Sequence, residues 1–378
     1  MAKKAPSASG KSSKAYETSA LGWFNSHTFH NSKFEDVDAL IELKHQQDRK
    51  ISVGIPTLNE EKNVANVVST IRKSLYEKKH LIDEIAIIDS GSTDRTVELA
   101  EKAGARVITS EKHLREFGAF YGKGENLWKS LHTLRGDIIC WIDADIENIH
   151  PKFVYGLVGP MLQDRELGYV KGFYRRPLKF GDKIVSYGGG RTTEICIRPI
   201  FNLYFPELTG FIQPLSGEYA GKRKVLERVP FFVGYGVETG LLIDISRKFG
   251  LNAMAQVDLD ERVHRNQETV ALGRMAFGIM QVVASRLGKQ QRQEFLQEFC
   301  TVYRFPEIRE PEKEGEERQY FLNEKEIVER ERPPISRLHD YRMKKKWNKD
   351  TLAKLADFLR ESKRRHRLQT SKDRGELE

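Results

Sequence analysis

No apolar run in this sequence approaches the roughly 18 residues that mark a membrane-spanning helix. The most apolar stretch, MAFGIMQVVA from Met275 to Ala284, is much shorter and carries Gln281. It reads as a core or interface helix. Cysteine is scarce, at 3 of 378 residues. Cys140, Cys196 and Cys300 are scattered and odd in number, which argues against a disulfide framework or a zinc site. Reduced thiols in a cytoplasmic protein are expected instead. The N-terminal stretch MAKKAPSASGKSSKAYE lacks the apolar segment of a secretory signal and reads as a flexible basic tail. No internal repeat is visible. No G-x-x-x-x-G-K-[ST] occurs, which argues against a P-loop nucleotidase. No G-x-G-x-x-G follows the first strand, which argues against a dinucleotide dehydrogenase.

Acidic residues are outnumbered. Lys and Arg total 63 against 54 Asp and Glu, a net charge of +9. Much of the excess lies near the end, in RMKKKWNK and KRRHR. Such runs suit nucleic acid or an acidic membrane surface. Leu352, Leu355 and Leu359 recur between them at helical spacing, so the simpler reading is the solvated face of an amphipathic C-terminal helix. Nucleic acid is not expected as a partner, and a nucleic-acid-binding protein is the remote alternative.

The first half alternates strand and helix signals. ISVGIP (51–56) reads as a buried strand. After it Val64, Val67, Val68, Ile71 and Leu75 share one helical face. EIAIID (84–89), ARVIT (105–109) and DIICWID (137–143) are three more strands. The second and third are separated by a helix with candidate caps Ser92, Thr93 and Asp94, closed by Gly104. This βαβαβ order predicts an α/β protein with a mainly parallel central sheet and helices on both faces. The second half is less regular. GYVKGFYRRP (168–177) reads as a strand ending in a basic turn, and GFIQPLSGEYAGKR (210–223) as a loop. A helix is expected from near Glu238, and MAQVDLDERVHRNQE (254–268) reads as a strand followed by a charged turn. REPEKEGEERQ, near residue 310, reads as an exposed linker.

Ligands of parallel α/β sheets sit beyond the carboxyl ends of the strands. Three polar clusters converge there: PTLNEE, DSGSTD and DADIE. The last raises an electrostatic question, because half-burying Asp143 and Asp145 is costly without compensating charge. Asp-x-Asp at a strand end suits a hard divalent cation such as Mg²⁺, which takes oxygen ligands and completes its shell with phosphate oxygens. Alternation along the strand points the two aspartates differently, one toward metal and one toward a ligand hydroxyl. His264 is a possible further ligand, its charged form discouraged by Arg262 and Arg265. GGGR (188–191) offers backbone N–H groups to an anion, with the Arg191 fork and the Thr192 or Thr193 hydroxyl beside them.

GIPTLNEEKNV, DSGSTDRT and WIDADI, in this order, resemble the nucleotide-sugar half of GT-A glycosyltransferases. GKGENLWKS, YGGGRTTE, QPLSGEYAGKR, GYGVETGLLID and DERVHRN narrow the resemblance to the glucosyl-3-phosphoglycerate synthases, retaining enzymes of family GT81. It spans about Ile51 to Gln281. It implies a Rossmann-like GT-A fold, Mg²⁺ (or Mn²⁺), and glucose transfer from UDP-glucose to D-3-phosphoglycerate, the first step toward the compatible solute glucosylglycerate. The near alternative is a mannosyl-3-phosphoglycerate synthase using GDP-mannose. A homodimer is also implied. Composition and element order along the chain place domains at 1–45 (flexible tail and lead-in), 46–300 (catalytic, with a nucleotide-sugar half at 50–150 and an acceptor half at 151–300) and 301–378 (C-terminal extension, a polar linker and a basic amphipathic helix), and the two ends carry no motif of the family. Carried over by motif, Pro56, Leu58, Glu60, Ser90, Lys123 and Asp143 are expected at the nucleotide sugar. Gly190, Arg191, Thr193 and Asn266 are expected at the acceptor. Asp145 and His264 are expected at the metal. Glu238 is expected on hexose hydroxyls, and the Leu215 carbonyl near the anomeric centre. On this reading a Mg²⁺-diphosphate supplies the charge that faces Asp143 and Asp145.

Overall fold

The computed structural model describes residues 13–115, 120, 122–176, 178–180, 183–185, 190–263, 269–287, 302–311 and 317–326. The strands are β1 (Thr28–His30), β2 (Ile51–Thr57), β3 (Glu84–Asp89), β4 (Arg106–Thr109), β5 (Ile138–Trp141), β6 (Tyr169–Arg175), β7 (Leu178–Phe180), β8 (Lys183–Val185), β9 (Tyr219–Lys222), β10 (Met254–Glu261), β11 (Val302–Arg309) and β12 (Gln319–Glu326). Eight of them form one sheet in the order β1-β10-β6-β9-β5-β2-β3-β4. Every neighbouring pair is parallel except the two made by β9, which runs antiparallel between β5 and β6.

The period of two along each strand explains the layering. Ile51, Val53, Ile55, Ile85, Ile87, Ile138 and Cys140 pack into a core on one face; Ala86, Ile88, Ile139 and Trp141 pack into a second core on the other. Val64, Val67, Val68, Ile71 and Leu75 are all buried, as their spacing predicts. Gly104 ends the helix Thr96–Lys102 at φ +91°, a left-handed turn that glycine adopts without steric cost. Cys140 and Cys196 are free thiols; Cys300 lies outside the described residues.

Several elements differ from the sequence reading. The lead-in carries a helix, Ser13–His27, before β1, which adds an edge strand beside β10. Part of the segment read as a loop is β9. Its sequence, Tyr-Ala-Gly-Lys, has no β-branched residue and no alternation, so it sends no strand signal. The polar stretch near 310 connects β11 and β12, an antiparallel hairpin. The helix Thr269–Arg286 contains the apolar run; it buries Ile279, Val282 and Val283 and leaves Phe277 and Met280 exposed. The expected C-terminal helix lies outside the described residues.

The antiparallel course of β9 has a direct consequence. Its amino end, preceded by Ser216, Gly217 and Glu218, lies at the same edge as the carboxyl ends of β2, β3, β5, β6 and β10. A register shift between Asp258 and Glu261, with Asp260 at φ +70°, kinks β10 there. Asn31, Lys152 and His30 hold the Asp260 carboxylate, and Arg318 and Tyr320 hold that of Asp258. The kink and its fastenings deliver Arg262 to the edge.

Candidate active site

A cavity of about 630 Å³ opens at this edge. Pro56, Leu58, Glu60, Ser90, Lys123, Asp143, Asp145, Gly190, Arg191, Thr193, Leu215 and Glu238 all line it. These are the sequence-predicted site residues apart from His264 and Asn266, which lie outside the described residues.

Each wall follows from a local cause. The turn after β3 is built on Asp89, whose carboxylate accepts from Thr57 Oγ1 at 3.0 Å and from the N–H groups of Gly91 and Ser92 at 2.9 and 2.8 Å. This fixes Ser90, whose hydroxyl accepts from Asn126 Nδ2 at 2.7 Å. Lys123 opens the helix Lys123–Thr133, so its ammonium projects back over the sheet edge. It lies 2.5 Å from Asp143 Oδ1 and 3.3 Å from Glu238 Oε1. Glu238 stands in the first turn of the helix Val237–Phe249, where the helix dipole favours a carboxylate.

Protein cations face the two aspartates. Arg262 is buried, with one Nη2 in contact with Asp145 Oδ1 and 3.3 Å from Asp143 Oδ2. Its Nε lies 3.4 Å from Glu218 Oε1, and Nη1 donates to Tyr174 Oη at 3.2 Å. The strand ends at Trp141, and Ala144 and Asp145 form a turn, so alternation no longer separates the aspartates. Both reach the same guanidinium. Lys123 and Arg262 are thus protein cations facing the aspartates for which the sequence suggested a metal-diphosphate.

The electrostatic balance follows. Burial opposes ionisation of Asp143, but Lys123 and Arg262 outweigh it and hold the carboxyl well below the usual aspartate range. Burial likewise opposes the charge on Lys123, and Asp143, Glu238 and Glu218 overcome it and raise its pKa. Glu218, fully buried, is pushed up by burial against the pull of Arg262. It accepts a hydrogen bond from Tyr174, whose own hydroxyl burial pushes up to about 12.

The cavity lining also carries Arg176 and Arg191. Arg176 Nη2 donates to Tyr174 Oη at 2.8 Å and its guanidinium lies 5.0 Å from that ring. Gly190 adopts φ +87°, and the buried Thr192 hydroxyl has no partner among the described residues. An orphaned donor beside two arginines, at the start of a helical segment, fits an anionic ligand.

Asp145 also fits a divalent cation. Its side chain is 30% exposed, and it meets Arg262 through one oxygen, Oδ1. Among the described residues no group of three His, Cys, Asp or Glu side chains surrounds one point. A cation here would draw further ligands from phosphate oxygens, the habit of Mg²⁺.

Sequence reasoning missed the pairing role of Arg262, the buried Glu218–Tyr174 pair, and the close fit at Gly217. The signal for Arg262 was a basic residue just past the carboxyl end of a strand, read only for its effect on His264. The other two depend on β9, which the sequence concealed.

The model of Glycosyl transferase family 2 matches residues 52–230. The glucosyl-3-phosphoglycerate synthase of Petrotoga mobilis is 50% identical over 317 residues, covering 84% of this chain and 95% of that protein. The crystal structure of mannosyl-3-phosphoglycerate synthase from Rubrobacter xylanophilus superposes with a TM-score of 0.66 at 35% identity, over 84% of this chain and 97% of that one. The glucosyl-3-phosphoglycerate synthase of Mycobacterium tuberculosis, in complex with Mn²⁺, UDP-glucose and phosphoglyceric acid, superposes with a TM-score of 0.60 at 43% identity, over 67% of this chain and 83% of that one. In complex with Mg²⁺ and UDP the same enzyme gives a TM-score of 0.62 at 37% identity, over 82% and 98%.

Proposed function

The chain belongs to the glucosyl-3-phosphoglycerate synthase family, and from that premise we propose that its cavity transfers glucose from UDP-glucose to D-3-phosphoglycerate with retention of anomeric configuration. The fold is that of GT-A glycosyltransferases. The observation that carries the reading is the convergence of every described candidate residue on one cavity with an anion-lined wall and a cation-lined wall. No helix among the described residues is long and apolar enough to cross a membrane, so nothing there favours a lipid-linked substrate. A cytoplasmic homodimer is part of the same proposal, with the exposed Phe277 and Met280 face available to a second copy.

The residues divide the work. Pro56, Leu58, Glu60 and Ser90 form the wall for the uridine. Asp143, fixed by Lys123, holds the ribose side. When bound at Asp145, with His264, a divalent cation stabilises negative charge on the diphosphate leaving group. Lys123 and Arg262 add positive charge at the same wall. Arg191, Thr193 and the Gly190 N–H hold the acceptor phosphate, with Asn266 near the acceptor and Arg176 adding positive charge to the same cavity. Glu238 lies 3.3 Å from Lys123 and is 5% exposed. That suits it to accept hydrogen bonds from hexose hydroxyls, not to act as a free nucleophile. The acceptor hydroxyl then attacks the anomeric carbon from the leaving-group face, past the Leu215 carbonyl, as the bond from that carbon to the diphosphate oxygen breaks and the hydroxyl proton passes to the departing diphosphate.

The test is product formation by the full chain with Mg²⁺ and D-3-phosphoglycerate, offered UDP-glucose and GDP-mannose side by side. A phosphorylated glucoside from UDP-glucose is expected. Efficient use of GDP-mannose instead would favour the mannosyl reading, which the likeness to the Rubrobacter enzyme keeps in view. No product from either donor would remove the acceptor assignment.

Three variants test the walls separately. Asp145→Ala and His264→Ala should raise the Mg²⁺ concentration needed for half-maximal activity by at least about tenfold, the scale of a lost metal ligand or its support. Unchanged metal dependence in both would relocate the cation. Arg191→Ala should raise the 3-phosphoglycerate KM by about 10–100-fold, the scale of a charge-assisted hydrogen bond, with little change in the UDP-glucose KM. Equal effects on both would take Arg191 out of the acceptor wall.

A further inference from the structure

Beneath the cavity floor lies a buried lysine amine that the transfer scheme above does not use. Lys171 stands on β6 between Tyr219 of β9 and Gln256 of β10, and is 1% exposed. Its ammonium donates to the Ser216 carbonyl at 2.8 Å and lies 4.3 Å from the centre of the Tyr219 ring. No carboxylate approaches it within 4.0 Å among the described residues. A buried ammonium without an ion pair is costly to keep, so its position calls for a reason.

The contact it makes is with the segment that forms the floor. β6 fastens that segment at successive points. Gln213 bonds to both backbone groups of Tyr174, Ser216 Oγ donates to the Gly172 carbonyl, and the Glu218 carbonyl accepts from Gly172 N–H at 2.9 Å. Leu215 and Gly217, between these fastenings, line the cavity. Lys171 thus ties Ser216 from below while the residues on either side of Ser216 line the cavity. The charged groups that act on it are Glu238, Lys123, Glu218 and Asp143, members of the cavity wall or its support. Three buried hydroxyls close by in the fold, Tyr169 Oη, Tyr219 Oη and Thr239 Oγ1, have no partner among the described residues; the two tyrosine rings lie 5.6 Å apart.

We propose that Lys171 is a positioning residue of the transfer site: it fixes the Ser216 carbonyl, and so the Leu215–Gly217 floor, and it takes up a proton when the anionic donor enters. The inference rests on the nucleotide-diphosphate reading of the cavity. In the ligand-free protein burial holds the Lys171 amine down to about 7, against the pull of Glu238, with Lys123 adding to the depression. At pH 8 it is then mostly neutral, and the neutral amine keeps the Ser216 hydrogen bond. A diphosphate bound above it raises local negative charge and draws a proton onto it.

The experiment is calorimetric titration of the full-length protein with Mg²⁺ and UDP at pH 8, in two buffers of different ionisation enthalpy. Wild type should take up more protons per site than Lys171→Met. Lys171→Arg, charged throughout, should bind without that extra uptake. Circular dichroism confirms that both variants are folded. In turnover, Lys171→Met should lose about 10–100-fold in kcat, the scale of a small misplacement of the reacting groups, and Lys171→Arg should recover part of it. Equal proton uptake and equal kcat in wild type and folded Lys171→Met would overturn the role of Lys171 and leave the transfer reading standing. A wild type that does not bind Mg²⁺-UDP would overturn both.

Discussion

Gly217→Ala is expected to lower kcat/KM by about 100-fold or more while moving the melting temperature little. A Cβ at this position would stand 2.0 Å from Asp143 Oδ2 and 2.4 Å from Lys123 Nζ. Neither atom is backbone, so the fold can yield by turning two side chains. Those two side chains are an ion pair, 2.5 Å apart, at the wall proposed above for the nucleotide sugar. Moving either undoes the alignment on which transfer depends. The cost thus falls on the reaction coordinate and not on the core. Steady-state kinetics beside a thermal melt separate the two. A variant with near-wild-type turnover would mean that Asp143 need not hold its observed position. A variant that loses stability in proportion to activity would move Gly217 into the structural class.

The second large effect is expected at Arg262. Removing one partner from a buried charge network strands the others, at a cost of about 3–5 kcal/mol. Arg262 is 4% exposed and faces Asp143, Asp145 and Glu218. Arg262→Met should therefore lower the urea midpoint at unchanged m and abolish transfer. The pH dependence supplies a second signature. In wild type Asp143 titrates below its unfolded value, so its stabilisation is complete above the ordinary aspartate pKa and is lost as pH falls below it. Without Arg262 the stranded carboxylates are relieved by protonation. The stability gap between variant and wild type should then narrow as pH is lowered from 7 to 5. A constant gap would show that lost packing on Tyr174, 5.5 Å from the guanidinium, dominates over charge.

Lys123 and Arg262 neutralise Asp143 and Asp145 from within the protein. The kinked β10 that delivers Arg262 is fastened by His30 from the N-terminal segment and by Arg318 and Tyr320 from the β11–β12 hairpin. Segments that composition assigns to a tail and a linker thus support the wall on which the aspartates act.

The local sequence determined much of this protein by itself. Apolar runs at 51–56, 84–89 and 137–141, with helical periodicity between them, fix a parallel α/β sheet, because hydrophobic spacing is a local property. The same order places PTLNEE, DSGSTD and DADIE at one edge, since parallel strands share their carboxyl ends. Motif strings supplied the remaining candidate residues, and those described do meet in one cavity. The tertiary structure decided what depends on pairing between distant segments. β9 has four residues without a strand signature and becomes a strand only because β5 and β6 offer hydrogen-bonding edges on both sides. Its reversed direction brings Gly217 and Glu218 to the site, and the kink in β10 brings Arg262. Electrostatic partners are set by distance in space, and neither charge nor spacing along the chain encodes which cation will face Asp143. That choice was made by strands that meet only in the folded sheet.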